Sequence, residues 1–230
     1  MPTPPPDQPP IARLRREPQQ ERSRERLQRA LDAADRLLAS EGLEALTTTR
    51  IAREAGISVG SLYQYVPDRE AIIDALATRY LAEFDGLVEE LVAVALSEHW
   101  DDPTANVVWA FASRWRAQPG YRALWLGSHL TPELEKADRQ NKRIIAEAAR
   151  RVLVAQGHAT DSEALARKCW IGVLACDALL REAFRIDPDG DPATLEETIA
   201  MLRAYIATAP AADADQTPAF DVRPATHATG

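Results

Sequence analysis

Between Thr47 and Ala71 the chain reads TTTRIAREAGISVGSLYQYVPDREA, where hydroxyl, amide and cationic side chains alternate with small and apolar ones. Such groups hydrogen-bond to phosphates and base edges. They do not make or break covalent bonds without an activated nucleophile or an acid–base pair. Two short helices are predicted to meet at Ala55-Gly56-Ile57, with Ala52 small enough for close approach and Gly56 free to adopt the positive φ of a tight turn. Ile51, Ile57 and Leu62 fill the wedge between them, and the offsets Ala52, Gly56 and Leu62 fit a helix–turn–helix. The second helix is expected to expose Ser58, Val59, Gly60, Ser61, Tyr63, Gln64 and Tyr65. Small residues at its start suit entry into a major groove, and tyrosine hydroxyls suit the phosphate backbone. Ser58 caps that helix, leaving free N–H groups that favour a phosphate. Thr47 can cap the preceding helix and contact the backbone, Arg50 is exposed near its start, and Arg69 can neutralise a further phosphate. Tyr63 and Tyr65 as packed aromatics, and Thr47 as a cap alone, are the structural alternatives.

A second group of residues lies further along. All five Trp fall between residues 100 and 170. Phe84, Leu87, Leu91, Trp109, Trp115, Trp125, Trp170 and Leu174, with Phe111 and Tyr121, fit either a helical core or the wall of an apolar cavity. His129, Arg122 and Asp177 are polar groups beside those faces, able to orient a small molecule or to be solvated. Cys169 and Cys176 lie about two turns (~10 Å) apart on one helix, too far to bridge. The four His show no ligand spacing, so no metal and no cofactor is expected. Gly-rich phosphate loops, nucleophile elbows and paired catalytic carboxylates are absent from the sequence, which argues against an enzyme.

The elements that must position these groups are all helical. Apolar stripes and stop signals predict helices over about 23–40, 48–55, 58–65, 67–97, 102–119, 120–127, 131–157, 160–185 and 191–209. Thr160-x-x-Glu163 reads as a capping box. The fourth helix, about 45 Å long, exceeds the width of a small helical subdomain and must link two bodies. The fold class is therefore all-α: a three-helix head at 21–68, a larger helical body at 69–208, and weakly structured tails at 1–20 and 209–230. The first tail carries Arg13, Arg15 and Arg16, which fit a solvated segment or an arm touching DNA.

These residues resemble the tetracycline-repressor family of bacterial transcriptional regulators. The likeness covers about Arg24–Leu76 and rests on Thr47, Ile51-Ala52, Ala55-Gly56-Ile57-Ser58, Gly60-Ser61-Leu62-Tyr63, Tyr65 and Pro67-x-Arg69-Glu70. Val66 stands where the family commonly has Phe, and Arg69 where it commonly has Lys. The resemblance implies a dimer that binds a palindromic double-stranded operator and releases it when a small molecule enters the body. It implies recognition contacts from Ser58, Val59, Ser61 and Tyr63, phosphate contacts from Tyr65 and Arg69, and a contact from Thr47. Helices 160–186 and 191–208 would form the dimer surface, with Ile171, Leu174, Ala178 and Leu179 beside Ile199, Leu202 and Ile206; covering the core of their own subunit is the alternative, and the two are not exclusive. Control by a protein partner is the alternative.

Composition bounds this reading. The 230 residues carry a formal charge of −8, which argues against a nucleic-acid binder. Residues 1–70, however, hold eleven Arg and eleven acidic side chains, so the whole deficit falls beyond residue 70. The absence of a long apolar run or an apolar leader is expected of a cytoplasmic protein with no membrane contact.

Overall fold

The computed structural model describes residues 21–127 and 131–208, so the two tails and His129 lie outside the described residues. Among these residues nine α-helices and one 3-10 turn account for the regular structure, with no strand. The head comprises α1 (Glu21–Glu41), α2 (Thr48–Ala55) and α3 (Val59–Tyr63), and the linking helix is α4 (Arg69–Ser97). The body continues with α5 (Pro103–Ala117), α6 (Pro119–Leu126), α7 (Pro132–Ala155), α8 (Glu163–Ile186) and α9 (Pro192–Ala207).

Local chemistry sets these boundaries. Pro occupies the first position of α5, α6, α7 and α9, where its missing N–H costs nothing. Asp68, Asp102, Thr131 and Asp191 cap α4, α5, α7 and α9 by accepting a backbone N–H three residues on. The cap of α8 is Ser162, which accepts the Leu165 N–H at 3.1 Å, and not the expected Thr160. Ser162 has the same three-residue reach as Thr160, and it is the one at the first helical turn. The head also contains a 3-10 turn at Leu43–Ala45 that the hydrophobic pattern does not announce, because a single turn has no period to read. The third helix is shorter than the expected 58–65: it ends at Tyr63, and Gln64 follows as its cap.

The stripe Leu27, Ala30, Leu31, Ala34, Leu37 and Leu38 on α1 is buried as its spacing predicts. One continuous core runs from these residues through Ile72, Leu76 and Tyr80 of α4 to Trp125 of α6 and Phe184 of α8. At 29 residues, α4 extends about 44 Å and belongs to both halves. Within the body α4 packs on α7, α7 on α8, and α8 on α9, while α6 packs back on α1. Ile199 and Leu202 are buried against Val108 of the same chain, so they are core residues and not part of an exposed seam. Ile171 (44%) and Met201 (42%) on α8 and α9 are exposed, as is Leu174.

Candidate nucleic-acid interface and effector cavity

In the head, Gly56 ends α2 at φ 65°, the left-handed conformation the turn requires. Thr47 caps α2, its Oγ1 accepting the Arg50 N–H at 3.3 Å, and the residue is exposed. Arg50 donates to Glu41 at 2.6 Å, which restrains its guanidinium at the edge of the head. Ser58 caps α3, and its Oγ donates to Ser61 Oγ at 3.0 Å. The Ser61 proton then has no acceptor among the described residues. Gly60 is exposed with open space where a Cβ would stand. Val59 is half-buried against the head core, which leaves it only an edge to offer. Tyr63 is 41% exposed. Its hydroxyl is 3.2 Å from Thr48 Oγ1, a tie between the start of α2 and the end of α3. Thr48 was not legible as a partner, because a separation of fifteen residues follows no helical period.

Two expected phosphate contacts are placed otherwise. Tyr65 is only 6% exposed and belongs to the core, where the chain turns inward after α3. Arg69 donates from Nε to Leu46 O and from Nη2 to Leu43 O, each at 2.7 Å. Those carbonyls close the turn between α1 and α2, so Arg69 holds the head on α4. Val66 is fully buried and fills core volume.

Head and body meet at a polar clasp. Arg79 of α4 bonds Asp32 at 2.8 Å and Asp35 at 2.9 Å, both on α1. Tyr80 donates to the Asp35 carboxylate as well. Burial is the main cause that raises the Tyr80 pKa, with the Asp35 bond adding to it, so this phenol stays protonated as a donor. Gly120 in α6 lies against that bond, and a Cβ there would collide with Asp35 Oδ1 and the Tyr80 hydroxyl.

Within the body a cavity of about 140 Å³ opens between the helices. Phe84, Val88 and Leu91 of α4, Val108, Phe111 and Trp115 of α5, and Tyr121 of α6 make its apolar walls. Asp138, Asn141 and Lys142 of α7 and Asp177 of α8 form the polar part of the lining. Lys142 bridges Asp138 at 2.5 Å and Asp177 at 2.9 Å, and Arg181 bonds Asp177 at 3.0 Å. Trp125 donates its indole N–H to Asp138 at 2.9 Å. Burial pushes the thiols up, Cys169 to about 11 and Cys176 to about 12, so both cavity-lining cysteines are neutral.

Of the residues expected to line a cavity, Phe84, Leu91, Trp115 and Asp177 do so. Trp125 lies behind the wall, stacked on Tyr121 with centroids 4.3 Å apart. Leu87, half-buried at the edge of the lining face of α4, and Leu174, exposed on the outer side of α8, are off the cavity. Trp109 is exposed beneath Arg116, and Trp170, half-buried beneath Arg139 and Arg143, lines a separate open groove and not this cavity. Apolar character alone does not distinguish an inward from an outward Trp, because cationic side chains can cover the latter. The polar residues Asp138, Asn141 and Lys142 were missed for the converse reason: i, i+4 charges ordinarily mark a solvated face.

Comparison with known proteins covers both halves. A model described as bacterial regulatory proteins, tetR family, matches residues 30–76, and one described as tetracyclin repressor-like, C-terminal domain, matches residues 98–209. The HTH-type transcriptional repressor KstR2 of Rhodococcus jostii is 39% identical over 66 residues, 29% of this chain and 32% of that protein. The chain thus matches about a third of that relative's length. A TetR-family regulator from Streptomyces coelicolor superposes with a TM-score of 0.58 at 28% identity, over 79% of this chain and 97% of that one. FadR of Bacillus subtilis, solved with stearoyl-CoA, has a TM-score of 0.58 at 16% identity over 78% and 97%, a likeness of fold alone.

Proposed function

The chain belongs to the tetracycline-repressor family of bacterial transcriptional regulators, DNA-binding proteins of all-α fold, and from that premise we propose that it is a dimeric repressor released from its operator by a small molecule bound in the body. The observation that carries the ligand half of this reading is the position of α6. Tyr121 forms part of the cavity wall, and its neighbour Gly120 rests on the Asp35–Tyr80 bond between head and body. An occupant that displaces Tyr121 moves α6, and with it the clasp that orients α1. A ligand shifts the conformational equilibrium by its differential affinity for the two arrangements. Two recognition helices that miss successive major-groove turns then lose the operator.

Thr47, Ser58, Gly60, Ser61 and Tyr63 are the groups we assign to the DNA face, with Arg50 at its edge and Val59 in apolar contact. Arg69 and Tyr65 act beneath them by holding the head together. The exposed Ile171, Leu174 and Met201 are the surface we assign to the second subunit. The repressor sense is supported by the similarity to KstR2, and control by a small molecule by the fold shared with FadR, which was solved with one bound.

Footprinting on the DNA upstream of the protein's own gene, across a range of salt, tests the reading. A protected palindrome whose affinity falls steeply with salt is expected, because phosphate contacts release counterions. No protected site would overturn it.

A further inference from the structure

Tyr121 is almost fully buried, and its ring is held on four sides. It stacks on Trp125 and lies tilted on Phe84 at 4.6 Å, and it meets Trp115 edge-on at 5.1 Å and Tyr80 at 5.8 Å. The ring is therefore fixed. Its hydroxyl makes no hydrogen bond to any described residue, and the acidic charges that act on it are Asp177 and Asp138, both on the cavity wall. The hydroxyl is not sealed off but opens toward the cavity, so an occupant there can supply its missing partner in place of water.

The charges at this polar wall cancel. Asp138 and Asp177 face Lys142 and Arg181, two against two, all with little solvent contact. A ligand carboxylate would leave water to lie beside two aspartates. A ligand ammonium would have to displace Lys142 or Arg181 from an ion pair. Neither finds an unmatched counter-charge, and each would lose its hydration. A hydroxyl carries no such cost, for it can accept from Tyr121 and donate to a carboxylate oxygen. Apart from Asn141, Thr104 and two neutral thiols the remaining wall is apolar, and about 140 Å³ is close to the ~150 Å³ of an apolar protein cavity that takes up benzene.

We propose that the cavity selects an uncharged molecule about the size of one substituted aromatic ring and bearing a hydroxyl group, which the Tyr121 hydroxyl reads. This rests on the cavity being the effector site, and Tyr121 is its specificity-determining residue.

Four probes on one ethylphenyl frame test it on the full chain by calorimetry: 4-ethylphenol, ethylbenzene, 4-ethylbenzoate and 4-ethylbenzylammonium. The phenol is expected to bind about tenfold tighter than the hydrocarbon, the equivalent of one hydrogen bond, and tighter than either ion. Tyr121→Phe should lower phenol affinity to that of ethylbenzene and leave ethylbenzene unchanged, which also reports that the variant folds. A charged probe that binds best, a phenol no better than the hydrocarbon, or a preference that survives in Tyr121→Phe would overturn the proposal while leaving the cavity as a ligand site. Failure of all four, ethylbenzene included, would overturn the effector site itself.

Discussion

The Tyr80 hydroxyl donates to the Asp35 carboxylate, which joins the helix shared by head and body to the first helix of the head. Gly120 of α6 packs on this bond with no room for a side chain. Three helices therefore converge at one point, on the side of the body where Tyr121 meets the cavity.

Gly120→Ala should force that point apart. Overpacking of this kind costs about 1–3 kcal/mol. Urea unfolding should shift to a lower midpoint with its slope unchanged, and an unaltered midpoint would show that the clasp tolerates a methyl group.

Tyr63 and Arg69 should separate by assay. Tyr63→Ala removes an exposed side chain and is expected to weaken operator binding by about tenfold or more, with thermal stability nearly constant. Arg69→Ala removes two bonds to the Leu43 and Leu46 carbonyls and should lower stability by about 1–3 kcal/mol. A stable Arg69→Ala protein that no longer binds DNA would return Arg69 to the phosphate face.

Burial raises the Asp85 pKa above its ordinary value, Asn141 opposes this by donating to it at 2.7 Å, and Glu89 adds to the rise. A carboxyl raised on folding favours the native state when protonated, and that contribution is lost as pH rises through its folded pKa. Asp85→Asn should therefore melt higher than the parent near pH 7.5. The difference should close as pH falls below the ordinary carboxyl range, where both side chains are neutral. An advantage that does not depend on pH would contradict this.

The cysteines should be quiet. With Cys169 at about 11 and Cys176 at about 12, alkylation by iodoacetamide at pH 8 should run roughly a hundredfold slower in native protein than in denatured protein. Comparable rates would reopen a redox role for this helix.

Much of the architecture is legible in local chemistry. Asp-Pro and Thr-Pro pairs set helix starts, Gly56 sets the turn of the head, and the α1 stripe announces its buried face. What required the structure were relationships across helices. Tyr65 and Tyr63 are two residues apart and look alike, yet one is core and the other exposed, because α3 ends between them. Asp138/Lys142 and Asp177/Arg181 have the i, i+4 spacing of ordinary surface pairs, and only the packing of α7 on α8 turns them into one neutral cluster beside a cavity. Gly120 reads only as a helix boundary beside Pro119, since the contact that requires a glycine is with Asp35, far away in sequence.

The charge of −8 lies beyond residue 70, and the proposed DNA face relies on placed hydroxyls with Arg50 at its edge. The central claim is that occupancy of the cavity is felt at the operator. Its most direct measurement is a fluorescence-anisotropy titration of the footprinted operator, with and without a saturating amount of the tightest-binding probe. The operator Kd should rise 5- to 150-fold, the usual range of coupling between sites (about 1–3 kcal/mol). An operator Kd unchanged by a probe that calorimetry places in the cavity would contradict the account.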